Sequence, residues 1–403
     1  MCTRQSRADG SSPGFSSEEQ PVGPQKEEIE IGAVPLVGGD TDVGVGVGFL
    51  GSVARIAPEG AIRYAWRVES GSFVTFKSGR DGLEIPYFQG YLVWTQPRLW
   101  DSRLRLDLRL EHVSEANMRY FGIGNASVRP PGENSERDLY TRTRPTFWGR
   151  ARMKLPYSAF VGFGASASQN WITVPPNSTL AQDLRTGSEE LKGWLRGTSS
   201  HGVLLGEVSA GWDTRDDDID PTRGQYHQVT FRASPHVGGN YPFSYQQLNT
   251  ALRFYVPLVQ DRMVGVLWSG FDALFGTPPF YELARFDETF AIGGNQGVRG
   301  VPGQRYYGKV KVMASAELRT RITKFDLFGS HYALGIATFA DTGRLWADFS
   351  RHPELDGTTL GLKYGIGGGL RLHQGKTFVV RADVAWSTDA RPIGAYVLAG
   401  HAH

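Results

Sequence analysis

The chain has 403 residues, 43 basic and 41 acidic side chains, a formal net charge of +2 and one cysteine, Cys2. Balanced charge without a Lys/Arg-rich run offers no field for nucleic acid, and a lone cysteine excludes an internal disulfide. No apolar run of about 18 residues occurs, which excludes spanning helices but not a membrane β-barrel, whose strands are apolar on alternate residues only. The mean hydropathy of −0.31 fits a barrel as well as it fits a soluble protein.

Residues 1–28 are rich in Ser, Gly, Pro and charge and poor in core-forming side chains, so they are expected to form a disordered tail. Met1–Gln20 has no apolar stretch of the kind a secretory leader carries. From Ile29 to the end the pattern becomes period two, which points to one all-β domain over 29–403. The clearest run is Arg103–Glu111, where Leu104, Leu106, Leu108 and Leu110 share one face and Arg105, Asp107 and Arg109 the other. Lys309–Arg319 repeats it, with Val310, Val312, Ala314, Ala316 and Leu318 opposite Lys311, Ser315, Glu317 and Arg319. Phe378–Trp386 does so again, setting Val380, Val384 and Trp386 against Arg381 and Asp383.

In chain order such runs predict strands over 31–37, 43–55, 61–76, 84–97, 102–115, 139–154, 157–172, 202–213, 225–235, 243–257, 262–275, 309–322, 331–342, 360–372, 377–388 and 393–402. About sixteen antiparallel strands close a transmembrane β-barrel with both chain ends on one side, the periplasmic side in bacterial outer membranes. Short connections at Pro156, Val259–Gln260 and His373–Lys376 fall on that side, and long ones at 116–138, 173–201, 276–308 and 343–359 on the other. A soluble antiparallel protein is the alternative reading of alternation alone, and it would turn the leucine face inward.

Two segments carry more than alternation: GWDTRDDDIDPTRGQY at Gly211–Tyr226 and FAIGGNQGVRGVPGQRYY at Phe290–Tyr307. With YFGIGN at Tyr120–Asn125, FADTGRLW at Phe339–Trp346 and the opening hairpin Ala33–Phe49, they resemble the BamA/TamA superfamily of outer-membrane barrels, also called bacterial surface antigens. The resemblance runs from about residue 30 onward. It implies a loop carrying Val298, Arg299 and Gly300 that folds into the lumen, where Arg299 pairs with Glu317 and Asp341. A guanidinium suits this role because its planar fork of donors serves two carboxylates at once. The resemblance also marks Asp213, Arg215, Pro221, Thr222, Arg223 and Gly224 as a periplasmic turn motif. Members devoted to assembly or secretion carry periplasmic POTRA domains, and a 28-residue tail is too short to hold one.

The expected function is to assist insertion or passage of proteins at the bacterial outer membrane, with a passive pore or structural surface barrel as the alternative. A weak closing seam would serve it, with Pro35 lacking a donor in the first strand and Gly394 and Gly400 loosening the last. The expected partners are membrane lipid and client proteins. No enzyme motif, cofactor or metal is expected: the Asp213–Asp220 cluster lacks an EF-hand pattern, and His401 with His403 makes only two ligands.

Overall fold

The computed structural model describes residues 29–56, 64–79, 82–99, 103–128, 138–217, 220–260, 262–286, 289–290, 292–327, 330–374, 378–389, 393–399 and 401. The expected tail over 1–28, Gly400 and His403 lie outside these. The strands are β1 (Ile29–Asp40), β2 (Gly44–Ile56), β3 (Tyr64–Gly79), β4 (Gly82–Glu84), β5 (Tyr87–Gln96), β6 (Leu104–Arg119), β7 (Leu139–Lys154), β8 (Ala159–Thr173), β9 (His201–Asp213) and β10 (Gly224–Ser234). They continue as β11 (Tyr245–Val259), β12 (Met263–Gly276), β13 (Arg285–Phe286), β14 (Thr289–Phe290), β15 (Val310–Leu327), β16 (Ser330–Trp346), β17 (Lys363–Gln374), β18 (Phe378–Trp386) and β19 (Gly394–Ala399).

Sixteen of these are the staves of a closed antiparallel β-barrel. Each pairs with the next in sequence and β1 returns to β19. The other three are short: β4 prolongs the β3 hairpin, and β13 and β14 pair with each other inside a loop.

The alternating residues sort as a barrel requires. Leu92, Leu110 and Phe147 stand opposite one another on β5, β6 and β7 and are 45%, 55% and 47% exposed, an apolar row on the outside. Val384 and Trp386 also face out, while Arg381 and Asp383 of the same strand are buried in the lumen. Along β15, Lys311, Met313, Ser315, Glu317 and Arg319 are buried and Val312, Ala314 and Ala316 exposed. The connections on the side of the chain ends are short, and the opposite end is covered by the segments after β6, β8, β12 and β16. There α1 (Thr179–Thr186) and α2 (Glu189–Trp194) join Tyr120, Tyr140, Phe280, Tyr281 and Tyr307 in one buried aromatic cluster.

Several strand ends differ from the sequence expectation for local reasons. β8 begins at Ala159 rather than 157 because Tyr157 and Ser158 adopt left-handed backbone (φ 59° and 62°) that no strand accepts. β17 begins at Lys363 rather than 360 because the Arg344 guanidinium takes up the carbonyls of Thr359 and Leu360. β6 and β16 run on to Arg119 and Trp346, where Met118 and Leu345 are buried against the covered end.

Closure is uneven. β1 pairs with β2 along its whole length, but with β19 only at Gly39↔Val397 and Asp40↔Tyr396. Ile29–Gly38 therefore has no ladder partner on its second edge among the described residues. Hydrogen exchange followed by mass spectrometry should show fast exchange for β1 amides directed at β19 below Gly39 and protection for those directed at β2. Equal protection on both edges would show a fully zipped seam.

Candidate functional site

The segment between β12 and β15 enters the barrel and fills one side of the lumen. Val298, Val301, Ile292 and Tyr306 pack with Trp268 of β12, Met313 of β15 and Leu345 of β16 in a buried cluster, so apolar contact seats the loop before any charge is counted. Two glycines permit the close approach. Gly300 adopts φ +93° against the backbone of Trp386, and a Cβ on Gly365 of β17 would meet the Arg299 carbonyl oxygen at 1.8 Å.

Arg299 is 0% exposed. Its Nε and Nη2 donate to Asp341 Oδ2 and Oδ1 at 2.8 and 3.0 Å, a two-pronged contact, and its backbone N–H donates to the same carboxylate at 3.1 Å. Nη1 donates to Glu317 Oε2 at 2.9 Å and to Asp383 Oδ2 at 3.4 Å. The guanidinium lies 3.3 Å from the centre of the Phe339 ring. Arg319 holds Glu317 at 2.8 Å, while Arg371 and Arg381 hold Asp383. Four guanidiniums thus face three carboxylates on β15 to β18 and the loop. Asp341 differs from the other two acids because its one ion-pair partner among the described residues is Arg299, with Ser315 Oγ donating at 2.6 Å.

Period-two reading put Asp383 on the lumenal face without pairing it with Arg299, and it did not find Arg371, Phe339 or the contacts that carry the loop to the seam. The Gly300 N–H donates to Tyr396 Oη of β19 at 2.9 Å, and the Gly303 N–H donates to Asp42 Oδ2, in the β1–β2 turn, at 2.8 Å. Asn295 reaches Asp40 of β1 at 3.4 Å, and its carbonyl accepts from Arg381 of β18 at 2.8 Å. One loop therefore bridges both strands that meet at the seam. Gly394, expected to loosen β19, instead leaves room for the Tyr396 hydroxyl and Gly300, which a Cβ there would meet at 2.5 and 3.2 Å. Pro35 stands opposite Phe49 of β2, within the stretch of β1 that lacks a β19 partner.

The rest of the lumen holds a cavity of about 730 Å³ lined by Arg109, Glu111, Arg144, Arg150, Glu207 and Arg232 among others. It also touches every residue of Val34–Gly39 together with Val397 and Leu398. Residues of both strands that meet at the seam therefore line it, including the stretch of β1 that lacks a β19 partner among the described residues.

At the other end, the Gly211–Tyr226 segment forms a tightly bonded turn. Arg215 grips Asp213 with Nε and Nη2, both at 2.9 Å, and stacks 4.6 Å from the Tyr226 ring centre. Asp216 accepts from the N–H groups of Thr222 and Arg223 at 2.9 and 3.2 Å, and burial, which would raise its pKa, is outweighed by these bonds and that of the Thr222 hydroxyl. Pro221 is buried, and Gly224 takes φ +100° where a Cβ would strike the Thr214 carbonyl.

The cluster implies a specific mutational pattern. Arg299→Ala orphans Asp341, while Glu317 and Asp383 keep other cations, so the loss should approach the roughly 3–5 kcal/mol typical of a broken buried pair, less whatever lumen water returns. Arg299→Lys should rescue poorly because an ammonium lacks the fork. Asp341→Asn should suppress Arg299→Ala, and Glu317→Gln should not. Urea unfolding in lipid vesicles measures this, and equal suppression by both acids would contradict the pairing described.

Comparison with known proteins follows the same lines. A family model described as the Omp85 superfamily domain matches residues 86–393. No curated protein matches. Among solved structures, BamA from Haemophilus ducreyi lacking POTRA domains 1–3 superposes with TM-score 0.59 and 13% identity, covering 93% of this chain and 70% of that one. CdiB from Escherichia coli gives TM-score 0.56 and 11% identity, covering 92% of this chain and 62% of that one. At these identities the neighbours speak to fold, whereas the family match spans most of the chain: this protein belongs to the Omp85 superfamily.

Proposed function

We propose that the barrel spans the bacterial outer membrane, its apolar outer rows against lipid, and assists the insertion or passage of other proteins there. The observation that carries this reading is the seam: two residue pairs close it, a lumenal cavity reaches it, and one anchored loop spans both of its strands. A strand edge with unmet N–H and C=O groups is a template for pairing with an incoming strand, and in lipid such groups must find partners. Partial zipping lowers the cost of opening, because few ladder bonds have to break. The loop keeps the two edges in register while they are apart, and no covalent chemistry is needed. Membrane lipid and client polypeptides are the partners this implies.

The aromatic cover over one end and the loop packed inside the barrel stand in the way of free solute flow, which counts against a passive pore. Continuing the register past Gly39↔Val397 sets Val37 opposite Ala399. In a strain lacking the native gene, the wild-type chain should restore a defined set of outer-membrane or secreted proteins. A Val37→Cys/Ala399→Cys chain, with Cys2→Ser, should restore them when reduced and fail when oxidised. Full restoration by the oxidised chain would overturn the lateral reading, and a steady large conductance in planar bilayers with an unchanged proteome would install the pore instead.

A further inference from the structure

Three side chains outside the loop site converge at the end of the barrel that holds the chain termini. Asp220 stands in the β9–β10 connection, His373 near the end of β17, and His401 just past β19. His401 Nε2 lies 3.0 Å from Asp220 Oδ1 and His373 Nδ1 lies 3.1 Å from Asp220 Oδ2. The two imidazole rings are 5.9 Å apart, and the three donor atoms all fall within 4.8 Å of one another. Nitrogen and oxygen ligands around a tetrahedral cation are spaced by about 3.3 Å, so a small movement admits an ion between them.

The residue types suit a ligand set, one carboxylate and two imidazoles, and each offers an atom already turned toward the others. The turn from 213 to 223 adds a field favourable to cations, with five aspartates against two arginines. Arg321, 3.4 Å from Asp220 Oδ2, opposes it.

We propose that Asp220, His373 and His401 form a site for a first-row divalent cation of the zinc type, which staples the end of the last strand to the β9–β10 turn and to β17. Imidazole with one carboxylate suits zinc, and three protein ligands leave a fourth position for water. Each bound imidazole then carries its single proton on the far nitrogen, Nδ1 of His401 and Nε2 of His373, and any further proton is released to solvent. The cation fixes the strand whose other edge closes the seam at two positions among the described residues, and it does so whether or not the barrel handles client proteins.

The test uses the full chain in detergent with no histidine tag, titrated with zinc(II) against a chromophoric chelator and separately with cobalt(II). One zinc equivalent should bind, and cobalt should give the intense visible absorption of a four-coordinate site. His373→Ala, His401→Ala and Asp220→Asn should each weaken binding by at least about tenfold, and Arg321→Gln should tighten it. The barrel's resistance to detergent unfolding should be checked in every variant. Wild-type protein that binds no more zinc than the His373→Ala/His401→Ala double variant, or that shows only the aqua-ion spectrum with cobalt, would overturn the site; that judgement needs only the wild-type spectrum if a variant misfolds.

Discussion

The barrel is organised around one buried guanidinium. Arg299 cannot shed its charge, so a loop that carries it into the lumen is stable only where carboxylates already wait. Asp341, Glu317 and Asp383 lie on β16, β15 and β18, three of four successive staves, and the two-pronged contact to Asp341 sets the loop's depth and orientation. The apolar contacts of Val298, Val301 and Ile292 hold the loop against the wall but would tolerate sliding. The ionic contacts do not.

From that fixed point the loop's backbone reaches the seam. Gly300 is one residue from Arg299, so its N–H meets Tyr396 of β19 only while the guanidinium is seated, and Gly303 reaches the β1–β2 turn in the same way. The few ladder bonds between β1 and β19 are thus supplemented from inside by side-chain contacts, which leave the outer edge of β1 free. Under the proposed function, a closure of this kind would combine a wall that can open with strands that stay tethered. The zinc-type site proposed at the opposite end of β19 would act on the same strand from below.

Much of the fold was legible because a barrel wall repeats one rule: Arg109, Glu111, Arg381 and Asp383 point in where Leu110, Val384 and Trp386 point out. Periodicity assigns a face but not a height, and this limits what it says of the site. It marked Asp383 as lumenal without revealing that it stands level with Arg299, which lies 84 residues away. Tyr396 was hidden because a tyrosine reads as an interface aromatic until something inside needs its hydroxyl. The close approach at Gly394 was hidden because a glycine that loosens a strand and one that admits a neighbour look alike in sequence. The Asp213–Asp220 row looked like one acidic cluster, but its members serve separate partners: Arg215, the Thr222 backbone, and two histidines from the far end of the chain.

The dependence of the seam on Arg299 can be measured directly with spin labels at loop residue Gln296 and at Leu398 of β19, in a Cys2→Ser background reconstituted in lipid. Electron–electron dipolar spectroscopy should give a single narrow distance distribution in the otherwise wild-type chain and a broad, shifted one in Arg299→Ala, with the narrow distribution returning in Arg299→Ala/Asp341→Asn if the orphaned carboxylate is what expels the loop. A narrow and unchanged distribution in Arg299→Ala would show that apolar packing alone seats the loop and that the buried guanidinium does not govern the seam.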